Sequence, residues 1–423
     1  MYIKKVIIDD IRSLSEFRME FESPIGWHVL IGDNGAGKST VIKAIALALV
    51  GPEEALGLRI DWSDWLRHNK KVGRIRLDIL KHDCDKHTGR QAKLKKWLVA
   101  NIILLKRIDK IVELSSIKTP EVDPFKCNWG RGQGWFSAAY GPYRRFAGGN
   151  PEWTKVFYSQ PKLGSHLSAF GEDVALTETI EWLVKLNYKL LERKESGEIL
   201  NDLKSLINSQ DFLPHNTKLL SVSSDGVIFE DGNGMKISVN QLSDGYRSIL
   251  SMTFELIRQL IRVYDEDKVF ENIRKGEMII DLPGVVLIDE IDAHLHPTWQ
   301  TRIGQWFTKY FPKIQFIVTT HSPLVCRACE NGSIWRLAAP GIELPSGKIV
   351  GADRNSLING DVLDAYGTTI FGKGITIAIE AVRKKERLVV LGNKKRVVEL
   401  NTDEKDELTH LQTLFPPDDT IEL

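Results

Sequence analysis

Four cysteines in 423 residues are too few for a disulfide scaffold. No apolar run reaches the roughly 18–20 residues needed to span a bilayer; the longest candidate, residues 41–50, is interrupted by Lys43. The first ten residues carry lysines but no apolar stretch and no small-residue cleavage site, so the chain reads as cytoplasmic. Net charge is nearly absent: 57 Lys+Arg against 56 Asp+Glu leaves +1. Any contact with nucleic acid must therefore come from a local patch rather than from a global field. Internal repeats and low-complexity segments are also missing. What remains, 42% hydrophobic and 27% charged residues with 33 Gly and 16 Pro, is the make-up of a globular protein of two or three domains.

Short strands are expected at residues 2–9, 17–21 and 27–31. The last runs into the Gly-rich loop GDNGAGKST, followed by an apolar helix from Ser39 to about Val50. Residues 74–80 and 97–105 look strand-like, 177–192 and 197–210 carry helical periodicity, and 218–239 reads as two or three strands with DG and GNG turns. A long helix is expected at 243–263, buried strands at 285–288 and 316–318, and a polar helix near 403–414. The phosphate-loop strand and 285–288 are expected side by side in one sheet. The material between them is then an insertion into one core.

Gly32, Asp33, Asn34, Gly35, Ala36, Gly37, Lys38, Ser39 and Thr40 fit G-x-x-x-x-G-K-[ST] at every defined position. Glycines let successive N–H groups turn toward phosphate oxygens, and the following helix adds the positive end of its dipole. Lys38 is placed to reach the β- and γ-phosphates of a nucleotide, and the Ser39 hydroxyl to ligate Mg²⁺. The apolar run 285–288 ends in Asp289 and Glu290. Asp289 suits the Mg²⁺ shell, and Glu290 can polarise a water for in-line attack. Leu242, Ser243, Asp244, Gly245, Tyr246 and Arg247 precede a helix; an ordinary N-cap is the plain alternative. Asp292, Ala293, His294, Leu295, His296 and Pro297 follow Glu290, and Thr319, Thr320, His321, Ser322 and Pro323 follow the strand at 316–318.

In this order the motifs resemble the ABC-type ATPases, in the SMC, RecF and OLD-like branch of the AAA families. The family signature L-S-G-G-Q appears here with Asp244 for its first Gly and Tyr246 for Gln. The resemblance implies an α/β ABC-type P-loop head, a mixed or parallel sheet flanked by helices plus an antiparallel β lobe, with an inserted helical subdomain. It implies ATP and Mg²⁺ as cofactors, catalysis by Lys38, Glu290 and His321, and nucleotide contacts from the phosphate loop. It also implies a homodimer in which Ser243, Gly245 and Asp292 complete the partner copy's site. The D-A-H-L-H-P stretch speaks against a membrane-transporter ATPase. The compact chain looks most like the PtuA-like ATPases of bacterial anti-phage systems, Septu and retron. That likeness implies an ATPase that controls a separate HNH-type nuclease. A RecF-like ATPase that clamps DNA without a nuclease partner is the alternative, and an ATP-binding scaffold with little turnover is a third reading.

OLD-family proteins carry a C-terminal nuclease that needs a D-x-D; none follows Leu337, nor does an H-N-H pattern occur. Gln133, or an arginine of the pair Arg144 and Arg145, is a candidate for the loop that links Mg²⁺ to the insertion. Cys326 and Cys329, with His82, Cys84 and His87, could be drawn as a zinc site but more simply pack as small residues. Seven basic residues at 383–396 are expected on a β-hairpin. DNA or RNA, a partner protein, or solvent alone could face them. A second basic stretch runs from Lys86 to Lys110. The expected divisions are an ATPase half at 1–85, an insertion at 86–215, a second ATPase half at 216–337 and a small α+β contact region at 338–423.

Overall fold

The structure is a computed structural model that describes residues 1–88, 97–108, 111–117, 123–130, 132–143, 156, 159–171, 177–192, 198–224, 226–338, 341, 345–366, 379–398 and 400–415. Two compact units are present, Met1–Asn359 and Gly360–Leu423.

In the first unit, β1 (Tyr2–Ile11) and β2 (Leu14–Glu20) form a hairpin that β4 (Val72–Leu80), β5 (Trp97–Lys106) and β6 (Val112–Ser116) extend into an antiparallel sheet. Along β4, Ile75, Leu77 and Ile79 are buried while Arg74, Arg76 and Asp78 lie on the other face. That is the period-two alternation of a sheet with one face on the core. The sheet joins β4 to β5, so the division expected at 85/86 passes through it.

A second sheet runs β14-β13-β3-β12-β11-β7, with β3 (Gly26–Ile31), β7 (Ser137–Tyr140), β11 (Gly284–Ile288), β12 (Ile314–Thr319), β13 (Ser333–Arg336) and β14 (Gly347–Lys348). All neighbours are parallel except β14 on β13. β3, β7, β11 and β12 are buried at every residue, the pattern of parallel strands covered on both faces. The phosphate-loop strand and 285–288 share this sheet as expected, but they are not neighbours: β12 lies between them. Helix α1 (Lys38–Val50) packs on strands of both sheets and is buried along nearly its whole length, which explains an apolar composition all round. Gln315 of β12 clamps the sheets together, accepting from Ile3 N–H at 2.7 Å and donating to the Ile3 carbonyl at 2.9 Å.

A third, three-stranded sheet holds β8 (Lys218–Ser223), β9 (Gly226–Glu230) and β10 (Lys236–Ser238). Around it lie α2 (Thr177–Leu191), α3 (Glu198–Ile207), α4 (Asp244–Tyr264) and α5 (Glu266–Arg274). Helix α6 (Pro297–Tyr310) connects β11 to β12, and α7 (Gly351–Asn359) closes the unit.

In the second unit the described residues are helical. The basic run at 383–396 is not a β-hairpin: it lies on helix α8 (Ile379–Val397), antiparallel partner of α9 (Thr402–Leu414) in one helical pair. Leu391 meets Leu400, Leu408 and Leu411 in a small core. Arg387 and Lys394, seven apart on one helix face, reach Glu407 and Glu404 at 2.8 and 2.5 Å. Among the described residues, no helix is long and apolar enough to cross a membrane.

Candidate nucleotide site

Four of the parallel strands lead, at one edge, directly into a motif or candidate loop. β3 runs into the phosphate loop, β12 into Thr320 and His321, β11 into Asp289 and Glu290, and β7 into Gly141, Pro142 and Tyr143. Carboxyl ends of parallel strands are where open α/β sheets bind ligands.

In the phosphate loop, Gly37 has φ of 100° at the start of α1, and an added Cβ would meet Ser13 Oγ at 2.9 Å and Leu14 Cδ2 at 3.0 Å. A side chain there is excluded by both space and backbone. Gly35, with φ of 77°, faces open space. Gly32 and Asp33 offer their carbonyls to Lys38 Nζ at 2.6 and 3.0 Å. Asn34 is exposed, Thr40 is buried in the first turn of α1, and Ser39 is half-buried. Burial lowers the pKa of Lys38, and the acids Asp289, Glu290, Asp292 and Asp33 oppose that shift. The ammonium thus sits in a desolvated pocket held charged by neighbouring carboxylates.

Ser39, Asp289 and Glu290 line one cleft of about 460 Å³ with Lys43, Tyr143 and His294. Asp289 is buried and its N–H donates to the Tyr140 carbonyl at 2.8 Å. One hydroxyl ties the two acids together: Thr319 Oγ1 accepts from Glu290 N–H at 2.7 Å and donates to Asp289 Oδ1 at 2.6 Å. Glu290 has a left-handed backbone, φ of 48°, a costly conformation for a non-glycine that tends to accompany functional positions. Asp292 accepts from Thr320 Oγ1 at 2.6 Å and from His321 N–H at 3.3 Å, and His321 Nδ1 lies 3.4 Å from Lys38 Nζ. The structure therefore brings Lys38, Ser39, Asp289, Glu290, Asp292 and His321 together.

It does not bring Ser243 to that cleft. Ser243 is the N-cap of α4, its side chain makes no capping bond, and it lines a separate cleft of about 540 Å³ with Asn233, Gln241 and Tyr246. The ordinary N-cap alternative thus lacks its hydrogen bond. Gly245 faces the His294 carbonyl, 3.0 Å from where a Cβ would stand.

Gln133 is not the linking residue. Its carbonyl accepts from Lys86 N–H at 2.8 Å ahead of β7, at the strand end opposite Tyr140. Pro142 and Tyr143 occupy the cleft instead; Arg144 and Arg145 lie outside the described residues. Cys326 and Cys329 are buried, as the reading of small packed residues expects, and burial pushes both thiols up. No cluster of three metal-ligating side chains occurs among the described residues. Mg²⁺ takes one or two protein ligands and keeps its waters; Ser39 and Asp289, two oxygen donors lining one cleft, are a pair that would fit it. Sequence reasoning missed Thr319, although it quoted the residue beside His321. A hydroxyl at the end of a strand neighbouring the acid strand was the signal.

This fold and site define an ABC-type P-loop ATPase head. The chain belongs to the AAA-domain family, whose family model matches residues 5–229, more than half the chain. A second AAA-domain model, described for a type IV toxin–antitoxin system, matches residues 176–327. The Septu protein PtuA of Bacillus mycoides (strain KBAB4) is 25% identical over 351 residues, covering 79% of this chain and 40% of that protein. The "Retron Ec83 probable ATPase" of Escherichia coli is 38% identical over 155 residues, covering 35% of this chain and 27% of that protein. Both alignments span less than half of those relatives. Among solved structures, an Smc head bound to the C-winged helix domain of ScpA aligns with TM-score 0.44 and 15% identity, covering 82% of this chain and 97% of that one.

Proposed function

We propose that this chain binds and hydrolyses ATP, and that two copies closing over nucleotide control an effector, an HNH-type nuclease, in an anti-phage complex. One observation carries the reading: the phosphate loop, Asp289, Glu290 and His321 meet on one edge, while Ser243 stands at another cleft. A signature serine that does not line its own chain's nucleotide cleft suits completion of a second copy's site. The named Septu and retron relatives support the anti-phage setting.

In this reading Lys38 and the loop N–H groups hold the β- and γ-phosphates. Ser39 and Asp289 hold Mg²⁺, which supplies charge neutralisation on the phosphates when bound. Glu290 orients and polarises the attacking water, with Thr319 fixing its backbone. His321 contacts the γ-phosphate end. Asp292, tied to Thr320, positions the loop that faces the second copy. Opening and closing is the two-state element that a partner reads.

The test is Glu290→Gln. Nucleotide affinity is expected to stay within about threefold of wild type, while turnover falls by about 100-fold or more. Light scattering should then find a dimer that persists in ATP. Phosphate release at the wild-type rate would sink the role of Glu290, and a variant that stays monomeric in ATP would sink the closing step.

One observation favours the clamp alternative. Arg383, Lys384, Lys395 and Arg396 are exposed on α8, a basic surface that would suit nucleic-acid phosphates. It predicts turnover stimulated by DNA alone and lost when those four residues become Ser.

A further inference from the structure

A third cleft, about 520 Å³, lies away from the phosphate loop. One wall is the first turns of α6, with Trp299 and Arg302; the other is the segment from α3 to β8, with Asp211, His215, Asn216 and Lys218. The cleft is preformed. Phe212 lies with its ring 4.9 Å from Trp306 and 4.7 Å from Tyr310. Trp306 Nε1 donates to the Phe212 carbonyl at 2.8 Å, and the Tyr310 hydroxyl donates to the Gln210 carbonyl at 3.1 Å. These pegs fasten the segment onto α6. Asp211, His215 and Asn216 all hold left-handed backbones, φ of 64°, 53° and 56°. Three non-glycine residues in that region within six positions is a local cost that a functional site can explain.

The lining is rich in donors. Arg302 and Lys218 are exposed cations, and Trp299 presents a half-buried indole. None of the three side chains has a hydrogen-bond, ion-pair or ring partner among the described residues. Against the two cations stands one acid, Asp211. A flat aromatic surface beside unpaired cations, in a volume of small-ligand size, matches a planar ring that carries an anionic group.

We propose that this cleft binds a nucleoside phosphate, with the base on Trp299 and the phosphate at Arg302 and Lys218. The ligand is either a free mononucleotide or the phosphorylated end of a nucleic-acid strand. The site has a built-in neighbour: His215, Asn216 and Thr217 also wall the Ser243 cleft, and Thr217 hydrogen-bonds Tyr246. Occupancy therefore bears on the turn that starts α4. Binding itself is independent of the phosphate-loop reading.

The full chain is titrated calorimetrically with uridine 5′-monophosphate and, separately, with 5′-phosphorylated hexathymidylate. At least one is expected to saturate, with Kd raised about tenfold or more by Arg302→Ala and by Trp299→Ala. Trp299→Phe keeps the ring and should retain binding, and Lys38→Ala should leave it unchanged. Saturation by the monophosphate assigns a free nucleotide; saturation by the hexamer alone assigns a strand end. If neither saturates at millimolar concentration, or if the Arg302 and Trp299 variants bind like wild type, the proposal is overturned. Loss in Lys38→Ala alone would return the binding to the phosphate loop and also overturn it.

Discussion

The two helices that start at the two glycine-bearing turns differ in what they bury. α1, behind the phosphate loop, is buried in aliphatic side chains on every side. α4, behind Ser243 and Gly245, buries a polar cluster in its middle. Glu255 accepts from Arg258 Nε and Nη2 at 2.8 and 3.0 Å, from Gln259 Nε2 at 2.5 Å and from Thr179 Oγ1 of α2 at 2.8 Å. Apolar packing holds α1 along its length, and two buried bonds reach carbonyls of its last turn, Trp129 Nε1 to Ala48 at 2.7 Å and Asn128 Nδ2 to Leu49 at 3.1 Å. Directional bonds to a buried carboxylate fix α4 against α2 in one register. The difference teaches that both helices are anchored in the core, α4 through Leu250, Phe254, Ile257 and Leu260, while α4 alone adds a buried ionic cluster that a single substitution can break.

The largest expected effect breaks that second mode. Arg258→Ala leaves Glu255 buried without its cation and should cost about 3–5 kcal/mol, read by chemical denaturation. A Glu255→Leu, Arg258→Met pair should recover most of the loss. Next, Lys38→Ala should weaken nucleotide binding by about 100-fold, ~3 kcal/mol, with the unfolding midpoint nearly unchanged, since α1 does not need this side chain to pack. Unaltered affinity in a titration would refute the phosphate-loop role.

A third effect is pH-dependent and belongs to β3. His28 is buried between Ser333 Oγ and the Pro24 carbonyl, each at 2.8 Å, and burial lowers its pKa from 6.5 to about 4. As pH falls below 6.5 the unfolded chain takes the proton first, so stability is full above 6.5 and declines toward 4. About 2 kcal/mol should be lost between about pH 7 and 5 on this account. His28→Gln should lose correspondingly less, measured by denaturation at both pH values. The smallest effect sharpens the contrast at the signature end. Ser243→Arg should lower turnover about tenfold, ~1.4 kcal/mol, without changing nucleotide affinity; an equal loss in affinity would place Ser243 in its own chain's site.

Much of this was legible in the sequence. Lys38, Asp289 and His321, which the structure gathers at one sheet edge, were picked out because each motif sits where a strand ends, and strand ends leave a strong local signature. Two things were not. The sheet order was misjudged because nothing local says that β12 slips between β3 and β11; that is settled by packing over long sequence distances. The run at 383–396 was misread because its apolar core is a few residues long, too short for its period to separate helix from strand. Gly392 added a false turn signal. Only the pairing of Arg387 and Lys394 with Glu407 and Glu404, one and two turns along a partner helix, reveals the helical face.

The order of the parallel sheet also sets a timetable for making the protein. β3 holds the phosphate loop near the start of the chain, yet its two neighbours are β12 and β13, at residues 314–319 and 333–336. On a ribosome adding about 5–20 residues per second, β3 waits roughly 15–60 s before either neighbour exists. The antiparallel hairpin of β1 and β2 can form at once, but the strand that leads into the phosphate loop gains no sheet neighbour until most of the polypeptide has emerged. Termination between the end of the loop and β12 therefore yields fragments that carry the complete phosphate-loop sequence and the contacts of α1 with the antiparallel sheet present so far, without either neighbour of β3.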